Sequence, residues 1–574
     1  MESPDTGDVI VYNGEIYNVA ELRSELTVTG ATFRSTGDTE VLLAAFARWG
    51  IGCVERLYGM FAFALWSPRS QSLYLARDAL GIKPLYWWSR AGVLVVASEL
   101  RGVLASGLVD RVVDRVAVQS LLAYGAVAQP RTMVEGVRQL DPGTWAKIHV
   151  ADTSGVHHSR YWAFNTNPRV ELTSTSAVKE LSTALAASVK SHLVSDVPLA
   201  VFLSGGIDST CMAALGRDAR EIDTFSVGLR EDAAIDESGV AKRTAERLNT
   251  RHHEVVLGER DALGLVMDWL RCMDQPTVDG LNTFVISRAA RETGIVVAIS
   301  GLGGDEMFGG YSTFREAPLL ARVGRVMSRA PSSVTRTGTR WFLASTTRAE
   351  KLGDLLVATR PSVVSATLGQ RRLMSNAQMT ALGLGEGARE DFLPPESDPL
   401  QGVPAGSDWA AVRAVETRFY MGNMLLRDAD VASMANGLEI RVPLLDRRVV
   451  EVALSHARWA ADPRTRPNKP WLVGALGRRI PVEVLQRRKS GFSLPQARWM
   501  AGPLRALFEA RIQTLAKSGL LDPRGVLGVW EGFVREGGHA WSRAWLLGVL
   551  GEWVGQRDPR NDACMTPTGT VARP

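Results

Sequence analysis

Short runs in which apolar and polar residues alternate fill the first part of the chain: Asp8 to Tyr12, Met60 to Trp66, Ser72 to Asp78 and Gly92 to Ala97, parted by Gly, Pro and Ser turns. A period of two predicts antiparallel β-structure. Met60-Phe-Ala-Phe-Ala-Leu-Trp66 and Ser72-Leu-Tyr-Leu-Ala-Arg77 read as one hairpin joined through Ser67 to Gln71. Asn18, with Glu21 three residues on, is the capping-box signature of an early helix over Ala20 to Leu26. After a Thr-, Ser- and Pro-rich stretch from Asn165 to Ser176 the pattern changes to helices alternating with brief apolar runs that end in glycine. That is the pattern of a parallel α/β sheet. Pro198 to Leu203, Thr224 to Leu229 and Ile295 to Ser300 are its predicted strands, each with a loop at the carboxyl end. Beyond Arg315 the chain is mostly helical, and Trp541, Trp545, Leu546, Val549 and Trp553 form the stripe of a helix facing a core. The tail from Asp558 to Pro574 reads as disordered. The expected units are therefore 1–165, 176–555 and the tail 558–574.

Composition narrows the class. Hydrophobic residues are 45% and charged residues 22%, the balance of a folded globular protein, and 574 residues suffice for several cores. Lys and Arg exceed Asp and Glu by 66 − 61 = 5, without a run of like charges or an aromatic-studded basic stretch, so nucleic acid is not an expected partner. Cys53, Cys211, Cys272 and Cys564 form neither a CxxC pair nor a ligand set, so no disulfide framework or zinc site is expected. The start is polar and no apolar run reaches about 18 residues, so a cytoplasmic enzyme without a membrane span is expected.

The chemistry concentrates in Pro198-Leu-Ala-Val-Phe-Leu-Ser-Gly-Gly-Ile-Asp-Ser-Thr210, a strand joined to a helix through Ser204, Gly205 and Gly206. Such a loop offers backbone N–H groups at a helix N-terminus to an anion such as pyrophosphate. Glycine is also what any tight strand-to-helix turn requires sterically. The chain has no GxxxxGK[ST], so no lysine of that motif reaches the terminal phosphates, and cleavage between the α- and β-phosphates is the better expectation.

Ser204 to Ser209 resembles the pyrophosphate loop of the ATP pyrophosphatases. With Ser300-Gly-Leu-Gly-Gly-Asp-Glu-Met-Phe-Gly-Gly-Tyr311, Leu438-Glu-Ile-Arg-Val-Pro-Leu-Leu-Asp446, Lys469 and Arg487-Arg-Lys-Ser-Gly-Phe492, the resemblance narrows to the glutamine-hydrolysing asparagine synthetases of the B type. It implies a reaction in which aspartate attacks the α-phosphate of ATP, pyrophosphate leaves, and ammonia displaces AMP from the aspartyl-adenylate. It also implies roles: Asp208 and Asp305 hold Mg²⁺, Lys469 neutralises phosphate charge, and Ser204, Gly205, Gly206, Ser209, Val227, Ser300 and Gly301 contact the nucleotide. Asp208 has an alternative reading as an ordinary helix N-cap. A homodimer is compatible with the resemblance.

Tyr12-Asn-Gly-Glu-Ile-Tyr-Asn18, Ser35-Thr-Gly-Asp38 and Arg77-Asp-Ala-Leu-Gly-Ile-Lys-Pro-Leu-Tyr86 resemble the N-terminal-nucleophile glutaminase domain of the same family. The implied fold is such a β-sandwich, lacking its N-terminal segment, followed by a parallel-sheet synthetase domain. Asn13, Gly14, Glu15 and Asp38 would hold the substrate glutamine, although Asn-Gly is also a simple turn. That domain uses an amino-terminal cysteine, whereas position 2 is Glu2 and the first cysteine is Cys53. The expectation is a start placed too late or a truncated gene, and a chain that uses ammonia and leaves glutamine intact.

Leu302 occupies a place where asparagine-forming relatives often carry a glutamate able to take a proton from ammonia. Several carboxylates nearby, Glu306 among them, are candidate stand-in bases. The alternatives carried forward are a different acceptor carboxylate, ring closure on an internal amine, and a non-catalytic relic.

Overall fold

The computed structural model describes residues 1–164, 174–229, 238–327, 362–384, 408–455, 468–487, 494–536 and 541–556. The expected tail, most of the expected boundary stretch, and the string after Arg487 lie outside the described residues.

In the first half the strands are β1 (Val9–Ile16), β2 (Gly59–Ser67), β3 (Ser72–Arg77), β4 (Tyr86–Arg90), β5 (Val93–Ala97), β6 (Arg138–Gln139), β7 (Thr144–His149) and β8 (Asp152–Arg160). They form two antiparallel sheets, ordered β1-β2-β3-β7-β8 and β5-β4-β6. The period of two is explained by what each face buries. Phe61, Phe63 and Leu65, with Tyr74 and Ala76, pack against the helices Val19–Val28 and Asp38–Trp49. Ala62, Ala64, Leu73 and Leu75 point the other way, toward Leu85, Trp87, Leu94 and Val96 of the second sheet. Tyr86 and Trp88 then cover the helices Leu100–Ala105 and Arg115–Tyr124, giving a helix–sheet–sheet–helix stack.

The expected hairpin forms, with Ser67 paired to Ser72, so its connection is Pro68 to Gln71. Two local readings are corrected. Asn18 makes no cap, because its buried amide donates to the Arg56 carbonyl at 2.9 Å and accepts from the Tyr58 N–H at 3.0 Å. A tertiary partner has won its hydrogen bonds. Asn13-Gly14 is not a turn either, because β1 continues through it, pairing Asn13 with Ala62 and Gly14 with Phe61.

The second half is built on β9 (Leu199–Phe202), β10 (Asp223–Leu229), β11 (Arg251–Leu257), β12 (Val297–Ile299) and β13 (Glu439–Arg441), all parallel and ordered β11-β10-β9-β12-β13. The three expected strands are its centre. Two more flank them: β11 opens on Arg-His-His-Glu, and β13 is three residues long, so neither shows an apolar run. From β9 the chain moves outward to β10 and β11, then returns to β12 on the other side. The carboxyl ends of β9 and β12 therefore meet at a topological switch point, where loops diverge and leave a crevice. The helix Trp541–Gly555 is buried on every face from Ala544 to Trp553, a central core helix rather than one with a single apolar stripe.

The halves are joined by polar groups as well as apolar ones. Arg77 is buried and donates to the carbonyls of Lys83 at 2.8 Å, Gly81 at 2.7 Å and Leu140 at 2.7 Å, and to Gln129 Oε1 at 2.8 Å. The Asp78 carboxylate accepts from the N–H groups of Phe61, Leu80, Ile82 and Lys83. Together they cinch the loop after β3 and deliver Lys83 to Asp430 of the helix Leu426–Met434, a buried ion pair of 2.8 Å. Gln129 passes the contact on, its N–H donating to Asn423 Oδ1 at 3.0 Å and its amide to the Gly422 carbonyl at 2.7 Å.

Removing one member of a buried pair leaves an uncompensated charge, which costs about 3–5 kcal/mol, whereas replacing both by apolar groups costs far less. Lys83→Met is therefore expected to lower stability by about that amount, and Lys83→Met with Asp430→Leu to recover most of it. Denaturant unfolding of the two variants beside the parent measures the difference.

Candidate active site

A cleft opens where β9 and β12 end. Ser204 to Ser209 form one wall, and Val227, Ser300, Gly301, Leu302, Asp305 and Lys469 line the rest, so every nucleotide-site residue expected from sequence reaches this cleft. The first loop is closed on itself by Ser209, whose hydroxyl lies 2.9 Å from Ser204 Oγ and accepts from the Ser204 N–H at 3.1 Å. The helix that follows, Ile207–Ala219, begins after Gly206, which makes no side-chain cap. Asp208 is thus inside the first turn, not its N-cap. Ser300 is fixed from outside, its N–H donating to the Arg441 carbonyl at 2.8 Å, and its hydroxyl accepts from the Leu302 N–H at 3.2 Å.

Three charges from three distant segments meet at the cleft floor. The Lys469 ammonium bonds Asp208 Oδ2 and lies 2.6 Å from Asp305 Oδ1, with its side chain 5% exposed. Close approach sets the glycines around them: a Cβ on Gly304 would collide with the Asp208 carboxylate, and one on Gly310 with that of Asp305. Lys469 itself sits at φ +57°, ψ +53°, directly before Pro470. A non-glycine residue in that region stores strain of about 1–3 kcal/mol, which the ion pairs offset. Asp208 Oδ1 is buried without a hydrogen-bond partner. No cluster of three or more His, Cys, Asp and Glu side chains suited to a metal exists among the described residues. Two carboxylates with an unsatisfied oxygen suit Mg²⁺, which keeps waters and shares phosphate oxygens rather than filling a protein cage.

Glu306 does not reach the cleft. It is 1% exposed, accepts the Tyr311 hydroxyl at 2.6 Å, and burial raises its carboxyl above the usual range. It is not placed to take a proton from a group beside Leu302.

The four residues expected to hold glutamine lie together at the end of β1. Asp38 accepts the Tyr12 hydroxyl at 2.6 Å and the Ile16 N–H at 3.2 Å, and the Asn13 amide donates to Ser98 Oγ at 3.4 Å. Gly14 presses on the Met60 carbonyl of β2, leaving no room for a side chain. Cys53 is buried, which pushes its thiol up to about 12 and leaves it unsuited to nucleophilic attack. Glu15 points across to the second half, 3.3 Å from Arg441, and burial raises its carboxyl to about 7 while Arg441 pulls the other way. Arg441 also donates to the His192 carbonyl at 2.9 Å, and Tyr17 stacks on the His192 ring at 3.7 Å. Sequence gave no signal for this contact beyond the Leu438-to-Asp446 string.

The family model described as asparagine synthase matches residues 180–555, and that of the glutamine amidotransferase domain matches residues 1–162. The chain belongs to the asparagine synthase family. Within the asparagine synthase family, a putative glutamine-hydrolysing asparagine synthetase of Mycobacterium bovis is 35% identical over 472 residues, 79% of this chain and 69% of that protein. Asparagine synthetase (glutamine-hydrolysing) 1 of Bacillus subtilis is 31% identical over 453 residues, covering 77% of this chain and 69% of its own length. Amidase chyE of Penicillium rubens is 28% identical over 483 residues, with 77% and 69% covered. The family and the two-part fold expected from sequence are thereby borne out. No helix among the described residues is long and apolar enough to cross a membrane.

His192 yields a prediction about pH. Burial lowers its folded pKa to about 4, although Asp446 at 4.0 Å pulls upward. The unfolded value is near 6.5, so below that pH the unfolded chain takes up a proton that the folded one refuses. Its contribution is intact above about pH 6.5 and is lost as pH falls toward 4, by up to about 3 kcal/mol. His192→Gln is expected to flatten the loss of stability between pH 7 and 5, read from unfolding midpoints; an unchanged slope contradicts it.

Proposed function

We propose that this chain is an ATP-dependent ligase that activates a carboxylate as its acyl-adenylate and converts it to an amide, with aspartate as acceptor and asparagine as product. The observation that carries the reading is the Asp208–Lys469–Asp305 cluster beside a glycine loop that has no lysine of the GxxxxGK[ST] kind. Backbone N–H groups of Ser204 to Gly206, at the start of the helix Ile207–Ala219, would receive the phosphates. An acceptor oxygen attacks the α-phosphorus, and the bond to the β-phosphate oxygen breaks with its electron pair leaving on pyrophosphate. The Lys469 ammonium is the donor placed to meet that developing charge. Asp208 and Asp305 would hold Mg²⁺, which when bound neutralises further charge on the pyrophosphate. Ammonia then attacks the acyl carbon, AMP departs with the electrons of the C–O bond, and a proton is lost from nitrogen. With only the buried Cys53 in that half, ammonia supplied directly is the proposed nitrogen donor of this chain, and glutamine held by Asn13, Gly14, Glu15 and Asp38 would serve only a form that carries a reactive thiol.

Leu302 favours a second reading, in which the acceptor is another carboxylic acid, since an apolar side chain in the cleft wall takes no proton from ammonia.

Ammonia supplied directly, with ATP, Mg²⁺ and aspartate, is expected to give AMP and pyrophosphate in equal amounts, together with asparagine. ADP and phosphate as products would overturn the assignment. Lys469→Met should lower pyrophosphate release by about 10²–10³-fold with the fold retained by circular dichroism. Release driven by other acids and not by aspartate selects the second reading. Leu302→Glu is expected to raise amide formed per pyrophosphate released if the missing base limits the second step.

A further inference from the structure

The charged side chains lining the cleft, among the described residues, are Asp208, Asp305, Lys469 and Arg487. Lys469 is shared between the two carboxylates, so that trio carries a net charge of −1, from −1 − 1 + 1. By itself such a cluster repels a polyphosphate. Arg487 lies elsewhere on the same wall. It follows the helix Val482–Gln486 in extended backbone, at φ −65° and ψ +144°, which turns its side chain toward the loop after β9. The approach is so close that a Cβ on Gly205 would overlap Arg487 Nη1. The guanidinium therefore lies directly against the backbone of the loop. The two cations of the cleft thus flank the loop at different points, Lys469 at Asp208 and Arg487 at Gly205.

We infer that Arg487 is the pyrophosphate clamp of this cleft, gripping the β- and γ-phosphates of ATP over the Ser204–Gly206 loop. It supplies the cation that the GxxxxGK[ST] lysine supplies in other nucleotide loops. A planar guanidinium suits this task because it bonds two phosphate oxygens at once and stays charged beside carboxylates. The inference rests on the reading of the cleft as an ATP site. It gives the leaving group two cations: Lys469, between the acidic pair, meets the charge that develops as the bond to the α-phosphorus breaks, and Arg487 grips the rest of the pyrophosphate.

The test compares binding of ATP, pyrophosphate and AMP, each with excess Mg²⁺, by calorimetry on the full chain and on Arg487→Met and Arg487→Lys. In Arg487→Met the affinity for ATP and pyrophosphate is expected to fall by about 10- to 100-fold while that for AMP stays within about twofold. Arg487→Lys, keeping the charge but not the two-pronged grip, should fall between. Unchanged pyrophosphate binding in Arg487→Met overturns the inference, and so does an equal loss for AMP, which marks a collapsed cleft. Failure of the parent chain to bind ATP overturns instead the reading of the cleft on which it rests.

Discussion

One ammonium group, that of Lys469, holds the cleft together. Its partners Asp208 and Asp305 belong to the first turns of helices that follow different strands, and Lys469 belongs to a third segment more than 150 residues further on. Each of these charges is unfavourable in a buried floor without the others, so the position of each carboxylate depends on the amine between them. The demands on the surrounding chain follow: glycine at 304 and 310 where a side chain would intrude, and left-handed backbone at 469 to aim the amine. A site with this much mutual dependence is fixed before any substrate arrives.

The two halves are tied by a different economy of contacts. Arg77 and Asp78 use most of their hydrogen-bonding capacity on the loop that follows them, so that Lys83 emerges at a defined place and meets Asp430. Arg441 works from the opposite side. Its side chain meets Glu15 of the amidotransferase half while its carbonyl holds Ser300 of the cleft wall. A single residue of β13 therefore touches both candidate sites through rigid backbone.

The period-two runs foretold the first half well, because each strand there buries two different faces and Phe61, Ala62 and Phe63 show it directly. Ser204 to Ser209, Ser300 to Leu302, Asp305 and Lys469 were legible as strings and do line one cleft. What stayed hidden depends on partners remote in sequence. Asn18 looked like a cap because its neighbours could not reveal Arg56 and Tyr58 as partners. Glu306 looked available as a base because spacing cannot tell a residue facing the cleft from one facing Tyr311. The strand β11 escaped notice because an edge strand with one solvated side needs few apolar residues.

The order of strands in the parallel sheet sets a timetable for the growing chain. Central β9 is flanked at once by β10, yet its other neighbour β12 is made about 100 residues later, and β12 gains β13 only when residue 439 has been added. Pairings so distant in sequence form slowly, since a long loop must close before any contact rewards it. The described strands of the amidotransferase half have all been made by Arg160. Its two sheets can therefore pair while the parallel sheet is still waiting for its last strand, and the ammonium that closes the cleft arrives later still.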